Sequence, residues 1–453
     1  MKKNLLLTPF ILFAVWTFGQ GPIITSWLQN TTETGSYYTS GNSTAIGNNI
    51  LVNCQSVDYS TNWVYVTTKG IPSYPTGPFL DGNPSQAQNQ NAIFKFPLIP
   101  SQNTGTSTET NPGNCGVFIN GVALFDYRDG VAWNPSTGSL CGGPGNPPCP
   151  GGPGTSMDWN RDAIPAENDG FDCSKGHPAM GNYHHHQNPS AFKLDLNVLS
   201  TICNLYDADG LYAMNETQHS PLIGFAYDGY PIYGAFGFKN NDGTGGITRI
   251  QSGYELGNIL DRTLYPDGTD ITDGPAINAT YFLGYFREDY IWASHPEEEY
   301  LDEHNGRFCV TPEYPNGIYC YFATVDANLN SAYPYVVGPT YYGNVVATKV
   351  TSITETTTPY EATAEITEFD IENLAISIFP NPASDLIAIQ VDGLLKDDLK
   401  VELIDLSGRI VKETIIHKGS TIAYFDVSTV YNGTYLITIS NLNGSRSSKV
   451  IIK

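Results

Sequence analysis

Glycine and proline interrupt this chain along its whole length. Of 453 residues, 45 are glycine and 30 are proline, so about one position in six disfavours the interior of a helix, by about 1 kcal/mol for glycine and about 3 kcal/mol for proline. Asparagine, threonine and tyrosine are also abundant, as is typical of turns and strands. The sequence therefore predicts a mainly β fold of short strands joined by many turns.

The charge balance excludes one class of partner. Asp and Glu number 45 against 22 Lys and Arg, which gives a formal net charge of −23. Nucleic acids and anionic lipids are bound through Lys and Arg that neutralise phosphate, so we expect no nucleic-acid partner. Only 15% of the residues are charged and 12% are aromatic, a composition typical of folded domains rather than of disordered acidic chains.

The first nineteen residues predict export. Met1 to Asn4 is a short basic start, Leu5 to Trp16 is apolar, and Thr17 and Gly19 are small enough to precede a signal-peptide cleavage site after Gly19. The apolar run is too short for a stable membrane anchor, and no later stretch reaches about 18 apolar residues. We therefore expect an exported protein without a transmembrane anchor.

Export determines how the eight cysteines are interpreted. In an oxidising compartment their default role is in structural disulfides. Cys309 and Cys320 flank a predicted hairpin that a bridge would staple, and Cys141 and Cys149 bracket a Gly/Pro segment with little means of ordering itself. The sequence does not fix the remaining pairs.

Composition divides the mature chain into three parts. Residues 20–348 hold all the cysteines and most of the tyrosines and are expected to form a disulfide-containing β-rich domain, residues 349–372 a Thr/Glu-rich linker, and residues 373–453 a small Ig-like β-sandwich. The predicted strands of the first domain are Trp63–Thr67, Ile93–Leu98, Val117–Phe125, Tyr281–Phe286 and Ile318–Val325. Those of the last are Ala375–Phe379, Ile387–Val391, Val401–Asp405, Thr421–Val427, Tyr435–Ser440 and Lys449–Ile452.

The last part also carries four ordered motifs. They are Phe379-Pro-Asn-Pro-Ala-Ser-Asp, Val401-Glu-Leu-Ile-Asp-Leu-Ser-Gly-Arg, Asn432-Gly-Thr-Tyr-Leu-Ile and Lys449-Val-Ile-Ile-Lys. Together they resemble the C-terminal sorting domain of the type IX (Por) secretion system. The resemblance implies handling by the type IX machinery, transport across an outer membrane, and release or attachment at the cell surface. An ordinary Ig-like adhesion module is the alternative.

Histidines concentrate in the stretch Gly176-His-Pro-Ala-Met-Gly-Asn-Tyr-His-His-His-Gln. If it is extended, His184 and His186 share one face and His185 takes the other, while the Gly-containing turn would fold His177 back as a third ligand. Imidazoles so placed suit a transition metal such as Zn, Cu or Fe. The alternative is a set of hydrogen-bonded or surface histidines.

The run Gly181-Asn-Tyr-His-His-His is similar to the signature of the YHYH-domain family, with His185 where a second tyrosine is usual. Further runs of the same kind follow in order at His219, Leu301, Thr311 and Tyr333, and one lies upstream at Gly116. The resemblance covers most of residues 50–345 and implies no established reaction. We interpret His185 as facing outward, so that its departure from the pattern leaves the His184/His186 pair intact.

Further candidates come from the same runs. His219 and His304 are candidate additional metal ligands, or else loop hydrogen-bonders. Asp228 and Asp302 are candidate catalytic carboxylates acting on bound water, but Asp228 precedes Gly229 and would also suit a simple turn. Arg307 would either clamp a substrate anion or pair with the neighbouring acids.

Two weaker interpretations concern loops and aromatics. Asp207, Asp242 and Asp267 begin acidic, Gly-containing loops that are a weak calcium possibility, although none follows the EF-hand pattern and turns are the simpler account. The scattered tryptophans are either a carbohydrate platform or core residues.

Three functions therefore remain open from sequence. The first is a secreted or surface protein that binds a metal ion through its histidine cluster. The second is a metal-dependent hydrolase or redox enzyme built on the same residues. The third is a glycan-binding or structural surface protein without metal, whose partner is an extracellular small molecule or polysaccharide.

Overall fold

The computed structural model describes residues 20–42, 44–79, 85–143, 145–152, 157–189, 214–361, 376–391, 398–417, 422–441 and 444–453. The expected signal peptide, residues 1–19, lies outside these ranges. The chain divides into two compact units, residues 1–362 and 363–453. Both are built mainly from strands, which confirms the fold class expected from sequence.

The first unit contains short strands and two single-turn helices. The helices are α1 (Pro22–Thr25) and α2 (Ala163–Glu167), with 3₁₀ turns at Asn168–Gly170 and Arg287–Asp289. The strands are β1 (Thr34–Tyr37), β2 (Ile46–Leu51), β3 (Cys54–Tyr59), β4 (Trp63–Thr68), β5 (Ala92–Pro97), β6 (Thr108–Glu109), β7 (Asn114–Phe118), β8 (Ala123–Phe125), β9 (Arg128–Asn134), β10 (Ser139–Cys141), β11 (Asn160–Asp162), β12 (His177–Ala179), β13 (Asn182–His185), β14 (Leu222–Ala226), β15 (Pro231–Tyr233), β16 (Phe236–Phe238), β17 (Ile247–Arg249), β18 (Tyr254–Leu256), β19 (Tyr290–Trp292), β20 (Gly306–Cys309), β21 (Ile318–Phe322), β22 (Thr340–Tyr341), β23 (Thr348–Val350) and β24 (Thr358–Tyr360).

A mixed eight-stranded sheet forms the centre of this unit. Its order is β12-β13-β8-β7-β14-β15-β21-β20, with β13 parallel to β8, β15 parallel to β21 and the other pairs antiparallel. Successive side chains of its inner strands enter different cores: Ile223 packs into one, while Leu222 and Phe225 pack into the other. Because side chains alternate across a strand, both faces of this sheet are covered.

A second sheet covers one of those faces. Its order is β23-β5-β4-β3-β24, and its valines and phenylalanines share a core with the central sheet. Its two outer strands come from residues 348–350 and 358–360, which pair with β5 and β3. The first part of the segment expected to be a linker is therefore folded into this sheet.

Two of the strands predicted from the sequence differ from the structure: one divides into two strands, and the other is not a strand. Val117–Phe125 divides into β7 and β8, because Asn120 and Gly121, the latter at φ +77°, form a tight turn between them. Tyr281–Phe286 is not a strand, so that prediction is wrong. Its carbonyls at Tyr281 and Phe282 accept hydrogen bonds from Arg262, and its rings pack on neighbouring aromatics rather than alternating across a sheet.

The cysteine predictions are correct for one pair and wrong for the other. Cys141 and Cys149 form a disulfide, and Cys173 is also disulfide-bonded. Cys309 and Cys320 are free thiols. The register of β20 and β21 sets Cys309 opposite Ile318, so the two cysteines are diagonal neighbours, and their side chains are in hydrogen-bonding contact as thiols rather than covalently bonded.

The second unit is the expected sandwich of two antiparallel sheets. Its strands are β25 (Ile376–Phe379), β26 (Leu386–Val391), β27 (Leu399–Asp405), β28 (Ile410–Ile416), β29 (Ile422–Asp426), β30 (Gly433–Asn441) and β31 (Gly444–Ile452). The sheet orders are β25-β26-β29 and β28-β27-β30-β31. Inward-facing side chains of both sheets, such as Ile387 and Val401, share one core. β28 is the one strand here that the sequence did not predict.

In the described ranges, no helix is long and apolar enough to cross a membrane.

A buried ion pair fastens the irregular segment between β18 and β19. Arg262 donates to both carboxylate oxygens of Asp289, from Nε at 2.7 Å and from Nη2 at 2.8 Å, and both side chains are fully buried. The guanidinium also donates to the carbonyls of Pro275, Tyr281 and Phe282. One buried cation thus satisfies backbone carbonyls along a segment with little regular structure.

We predict that Asp289→Asn destabilises the first unit by about 3–5 kcal/mol, since it leaves the Arg262 charge buried and unpaired. Urea unfolding followed by tryptophan fluorescence measures this unit alone, because residues 363–453 contain no tryptophan. The control is Lys239→Ala, which breaks a half-exposed pair with Glu299 and should change the unfolding free energy by less than about 1 kcal/mol. Equal effects of the two substitutions would contradict a special role for the buried pair.

Candidate functional site

The histidine cluster is built on a tight β-hairpin at one edge of the central sheet. β12 pairs antiparallel with β13 so that His177 lies directly opposite His184. The turn between them, Met180 and Gly181, has positive φ at both residues, 51° and 84°, a backbone that glycine adopts without strain. The return of His177 beside His184 therefore follows from local turn geometry, as the sequence predicted.

The hairpin brings three imidazoles together. His184 and His186 lie on the same side of the chain, with their Nε2 atoms 3.0 Å apart. The ring centroid of His177 lies 4.6 Å from that of His184 and 5.5 Å from that of His186. The potential ligand atoms of the three residues all fall within 4.8 Å of one another, a spacing that a single ion can bridge.

Backbone carbonyls fix the protonation of two of these rings. His184 Nδ1 lies 2.8 Å from the carbonyl oxygen of Asn182, and His186 Nδ1 lies 2.5 Å from that of Asp126. A carbonyl oxygen only accepts hydrogen bonds, so each Nδ1 carries the proton. In the neutral rings both Nε2 atoms are then unprotonated, and their lone pairs face each other. This contact is repulsive unless a positive charge lies between the two nitrogens.

The surroundings oppose protonation of the cluster. The three rings are almost fully buried, with Phe125 stacked on His184 at 3.7 Å and Phe171 edge-on to His177 at 4.8 Å. Burial lowers the pKa of His186 to about 4, and burial, with a smaller effect from the neighbouring histidines, holds the pKa values of His177 and His184 well below the ordinary value. The rings are therefore neutral near pH 7.

A carboxylate completes the cluster that the histidines begin. Glu167 is the last residue of α2, and its Oε2 lies 3.4 Å from the Nε2 atoms of both His177 and His186. The helix is held at its start by Asp162, whose Oδ1 accepts the Ile164 amide at 2.9 Å. The sequence analysis missed Glu167, although its place just after a capped helical turn and ten residues before His177 was a usable signal.

Two buried aspartates, Asp126 and Asp172, hold the hairpin through their hydrogen bonds. Asp126, whose carbonyl holds His186, is itself fixed by hydrogen bonds from Thr110 at 2.5 Å and from Arg128 Nε at 2.6 Å. Asp172 accepts the amides of Ser174 and Gly176, which shapes the turn just before His177. Neither residue was a sequence candidate, because a lone aspartate carries no spacing pattern.

His185 takes the opposite face of β13 from its neighbours, as alternation predicted. That face is not outward, however, and the expectation of exposure is wrong. His185 is fully buried. Its Nε2 is hydrogen-bonded to the Tyr74 hydroxyl at 2.8 Å, and its Nδ1 is hydrogen-bonded to the Lys175 carbonyl oxygen at 3.0 Å. The reason is that both faces of this sheet edge are covered, the second by a small core that includes Tyr74 and Tyr183.

The other two candidate histidines do not join the cluster. His219 packs against Tyr233 and Phe238, and its Nδ1 lies 2.7 Å from the Ser220 carbonyl oxygen. His304 bonds Thr340 Oγ1 at 2.7 Å. Arg307 donates to the carbonyls of Lys239, Phe238 and Glu298 and so ties loops together rather than clamping an anion.

The two candidate catalytic carboxylates instead organise backbone turns. Asp228 is fully buried and accepts from Tyr321 Oη at 2.5 Å and from the Gly343 amide at 2.9 Å. Asp302 accepts from the His304 amide at 2.9 Å and from Tyr319 Oη at 2.8 Å. None of these contacts reaches the histidine cluster.

The calcium loops are simple turns where the structure describes them. Asp242 is exposed and accepts the amide and hydroxyl of Thr244, and Asp267 accepts the amide of Thr269. Asp207 lies outside the described residues. Trp27 and Trp159 are buried core residues, whereas Trp292 is half-buried beside a cleft.

Comparison with known families locates two matches along the chain. Residues 93–334 match the family described as YHYH protein, and residues 377–453 match the secretion system C-terminal sorting domain. No curated protein matches the chain. The second match shows a protein handled by the type IX secretion machinery and secreted or attached at the outer surface. The first match includes the whole histidine hairpin and covers more than half of the chain.

We predict a distinct pH signature for Asp228 from its structural role. Burial raises the pKa of Asp228 from its ordinary 3.8 to about 6, so the folded protein takes up a proton that the unfolded chain does not. Relative to Asp228→Asn, the wild type should therefore lose unfolding free energy as the pH rises from about 4 to about 6. Urea unfolding at several pH values measures this difference, and Asp242→Asn, at an exposed turn, is the control that should show little change. A pH-independent difference between wild type and Asp228→Asn would contradict the assignment.

Proposed function

The chain belongs to the YHYH protein family, and we propose that it is an exported metal-binding protein in which His177, His184, His186 and Glu167 hold one zinc ion. The observation that carries this proposal is the pair of Nε2 atoms 3.0 Å apart, whose lone pairs face each other because both Nδ1 protons point to carbonyl oxygens.

The spacing of the four ligand atoms supports a tetrahedral ion. With Zn–N bonds of about 2.0–2.1 Å, ligand atoms at the corners of a tetrahedron lie about 3.3 Å apart. The observed separations are 3.0 Å between the Nε2 atoms of His184 and His186 and 3.4 Å from Glu167 Oε2 to two of the imidazoles. The ligand atoms of the three histidines all lie within 4.8 Å of one another, so the longer separations must shorten when the set closes around an ion.

A proton is the alternative charge between the two imidazoles, and the site disfavours it. Burial lowers the pKa of both histidines, so a shared proton at neutral pH would cost free energy. A divalent cation instead binds neutral imidazole. The buried Nε2 of His177 also lacks a hydrogen-bond partner, as expected for a group that serves as a ligand.

The carbonyls of Asn182 and Asp126 are suitable outer partners for a metal site. A ligating histidine usually donates its other ring N–H to a carbonyl or carboxylate, which fixes the tautomer and the ring orientation. His184 and His186 already have this arrangement. Three nitrogens and one carboxylate oxygen suit zinc, and a complete four-ligand shell favours a structural over a catalytic ion.

A hydrolytic role is the second candidate, and one observation favours it. The Glu167 side chain is 26% exposed, whereas the three histidine side chains are at most 7% exposed. Glu167 is therefore the member of the cluster nearest to solvent, although its Oε2 atom, which faces the imidazoles, is itself buried. If this carboxylate does not ligate the ion, it is placed to act as a general base on a bound water.

We predict that the chain from Gln20 to Lys453, purified after export, contains close to one equivalent of zinc by elemental analysis. The double substitution His184→Ala/His186→Ala should abolish zinc content because it removes two ligands. His304→Ala is the matched control, since His304 is a half-buried histidine outside the cluster, and it should retain the metal. Metal-free wild-type protein that stays empty after incubation with zinc, copper and iron salts would refute the proposal.

We further predict that Glu167→Gln weakens zinc binding at least about tenfold while leaving the fold intact, because an amide is a poorer zinc ligand than a carboxylate. Competition with a chromogenic chelator measures the affinity. Unchanged affinity would instead support Glu167 as a base beside an open coordination position, and screening for zinc-dependent hydrolysis of esters and peptides would follow.

A further inference from the structure

A cleft lies beside β18 and β19, apart from the histidine cluster. Its volume is about 260 Å³, slightly below the range of about 300–1,000 Å³ typical of sites for drug-sized ligands. The cleft therefore suits a smaller ligand, of the size of one sugar ring. None of His177, His184 and His186 lines it. Its walls are mainly aromatic with two adjacent charges, provided by Tyr254, Tyr265, Tyr290, Trp292, Arg287 and Glu288. We refer to these six residues as the aromatic cleft.

The aromatic rings of this cleft are fixed in place before any ligand arrives. The hydroxyls of Tyr254 and Tyr265 donate to backbone carbonyls at 2.7 Å each, and Trp292 Nε1 donates to the Leu301 carbonyl at 3.2 Å. Tyr290 stacks on Tyr333 with centroids 4.2 Å apart and planes 9° from parallel. Because the polar atoms of Tyr254, Tyr265 and Trp292 are already bonded and Tyr290 is held by stacking, these rings offer a ligand a preorganised aromatic surface.

The charges of the cleft disfavour an anionic ligand, and the one cation in its wall is already paired within the protein. Arg287 pairs with Glu288 and donates from Nη1 to Tyr127 Oη at 2.5 Å, while Glu288 accepts the Asn160 amide at 2.7 Å. Because Arg287 and Glu288 neutralise each other, this pair adds no net charge to the wall. Asp267, which also lines the cleft, and the net charge of −23 repel an anion.

An uncharged ligand rich in hydroxyl groups fits these constraints. One face of a sugar ring presents C–H groups that pack on aromatic rings, and its hydroxyls donate to carboxylates and accept from a guanidinium. We propose that the aromatic cleft binds one neutral sugar residue of an extracellular glycan. The sorting domain delivers the protein to the outside of the cell, where such glycans occur.

Titration of the full chain from Gln20 with the methyl glycosides of glucose, galactose, mannose and xylose tests this proposal. Tryptophan fluorescence is the readout, checked by calorimetry. At least one sugar should bind with a dissociation constant of about 1 mM. Trp292→Ala should weaken that binding about tenfold, and Trp292→Phe should restore part of it. Trp63→Ala, at another half-buried tryptophan that lies over Lys95, should leave the affinity unchanged.

A second variant guards against loss of fold. Asp267 is exposed and bonds only within its own turn, so Asp267→Ala should fold normally and reduce sugar affinity severalfold. Protein stripped of metal should bind as well as untreated protein, because the cleft contains none of the proposed metal ligands. Four results would overturn the proposal: no binding of any of the four glycosides at about 50 mM, binding that Trp292→Ala leaves unchanged, loss of binding on metal removal, or binding of tetramethylammonium or glucuronate in preference to neutral sugars.

Discussion

Two bare imidazole nitrogens that face each other at 3.0 Å are the constraint on which the site depends. The backbone imposes this arrangement, because the carbonyls of Asn182 and Asp126 each hold the only proton of a neutral ring. Apolar rings from Phe125 and Phe171 keep water away and lower the histidine pKa values. Without a positive charge between them these buried lone pairs repel each other, so the hairpin and the proposed zinc ion are expected to stabilise each other.

The hairpin itself is held by the central sheet. His184 and His185 pair with Ala123 and Leu124 of β8, so the histidines are fixed by ladder hydrogen bonds rather than by a free loop. Alternation then gives the two faces of β13 different tasks. His184 points toward the cluster, whereas His185 packs with Tyr74 and Tyr183. A histidine suits that second position because both of its nitrogens find partners there, which a buried polar ring requires.

The sequence predicted those parts of the site that depend only on residues close together in the chain. Strand alternation placed His184 and His186 together, and a positive-φ turn returned His177 to them. Glu167 joins through a separate helical turn whose direction depends on tertiary packing, so spacing did not reveal it. Asp228 and Asp302 lie in turns away from the cluster, and the sequence could not reveal this because an aspartate that shapes a buried turn and one that acts on water look alike in sequence. In the fold, the aromatic residues of Tyr281–Phe286 suggested a strand. The carbonyls of Tyr281 and Phe282 instead accept hydrogen bonds from the buried Arg262 guanidinium.

Buried aspartates recur throughout the first unit, and the composition explains why. A chain with glycine or proline at about one position in six forms few long ladders, so many backbone amides need partners other than strands and helices. Asp162, Asp172, Asp228 and Asp289 each accept at least one such amide while buried. Burial raises the pKa of Asp162 to about 8 and that of Asp172 to about 6, which shows that desolvation outweighs these hydrogen bonds. Most of the acidic candidates in such a sequence therefore serve the fold, and a functional carboxylate is identified by what it faces, as Glu167 faces two imidazoles.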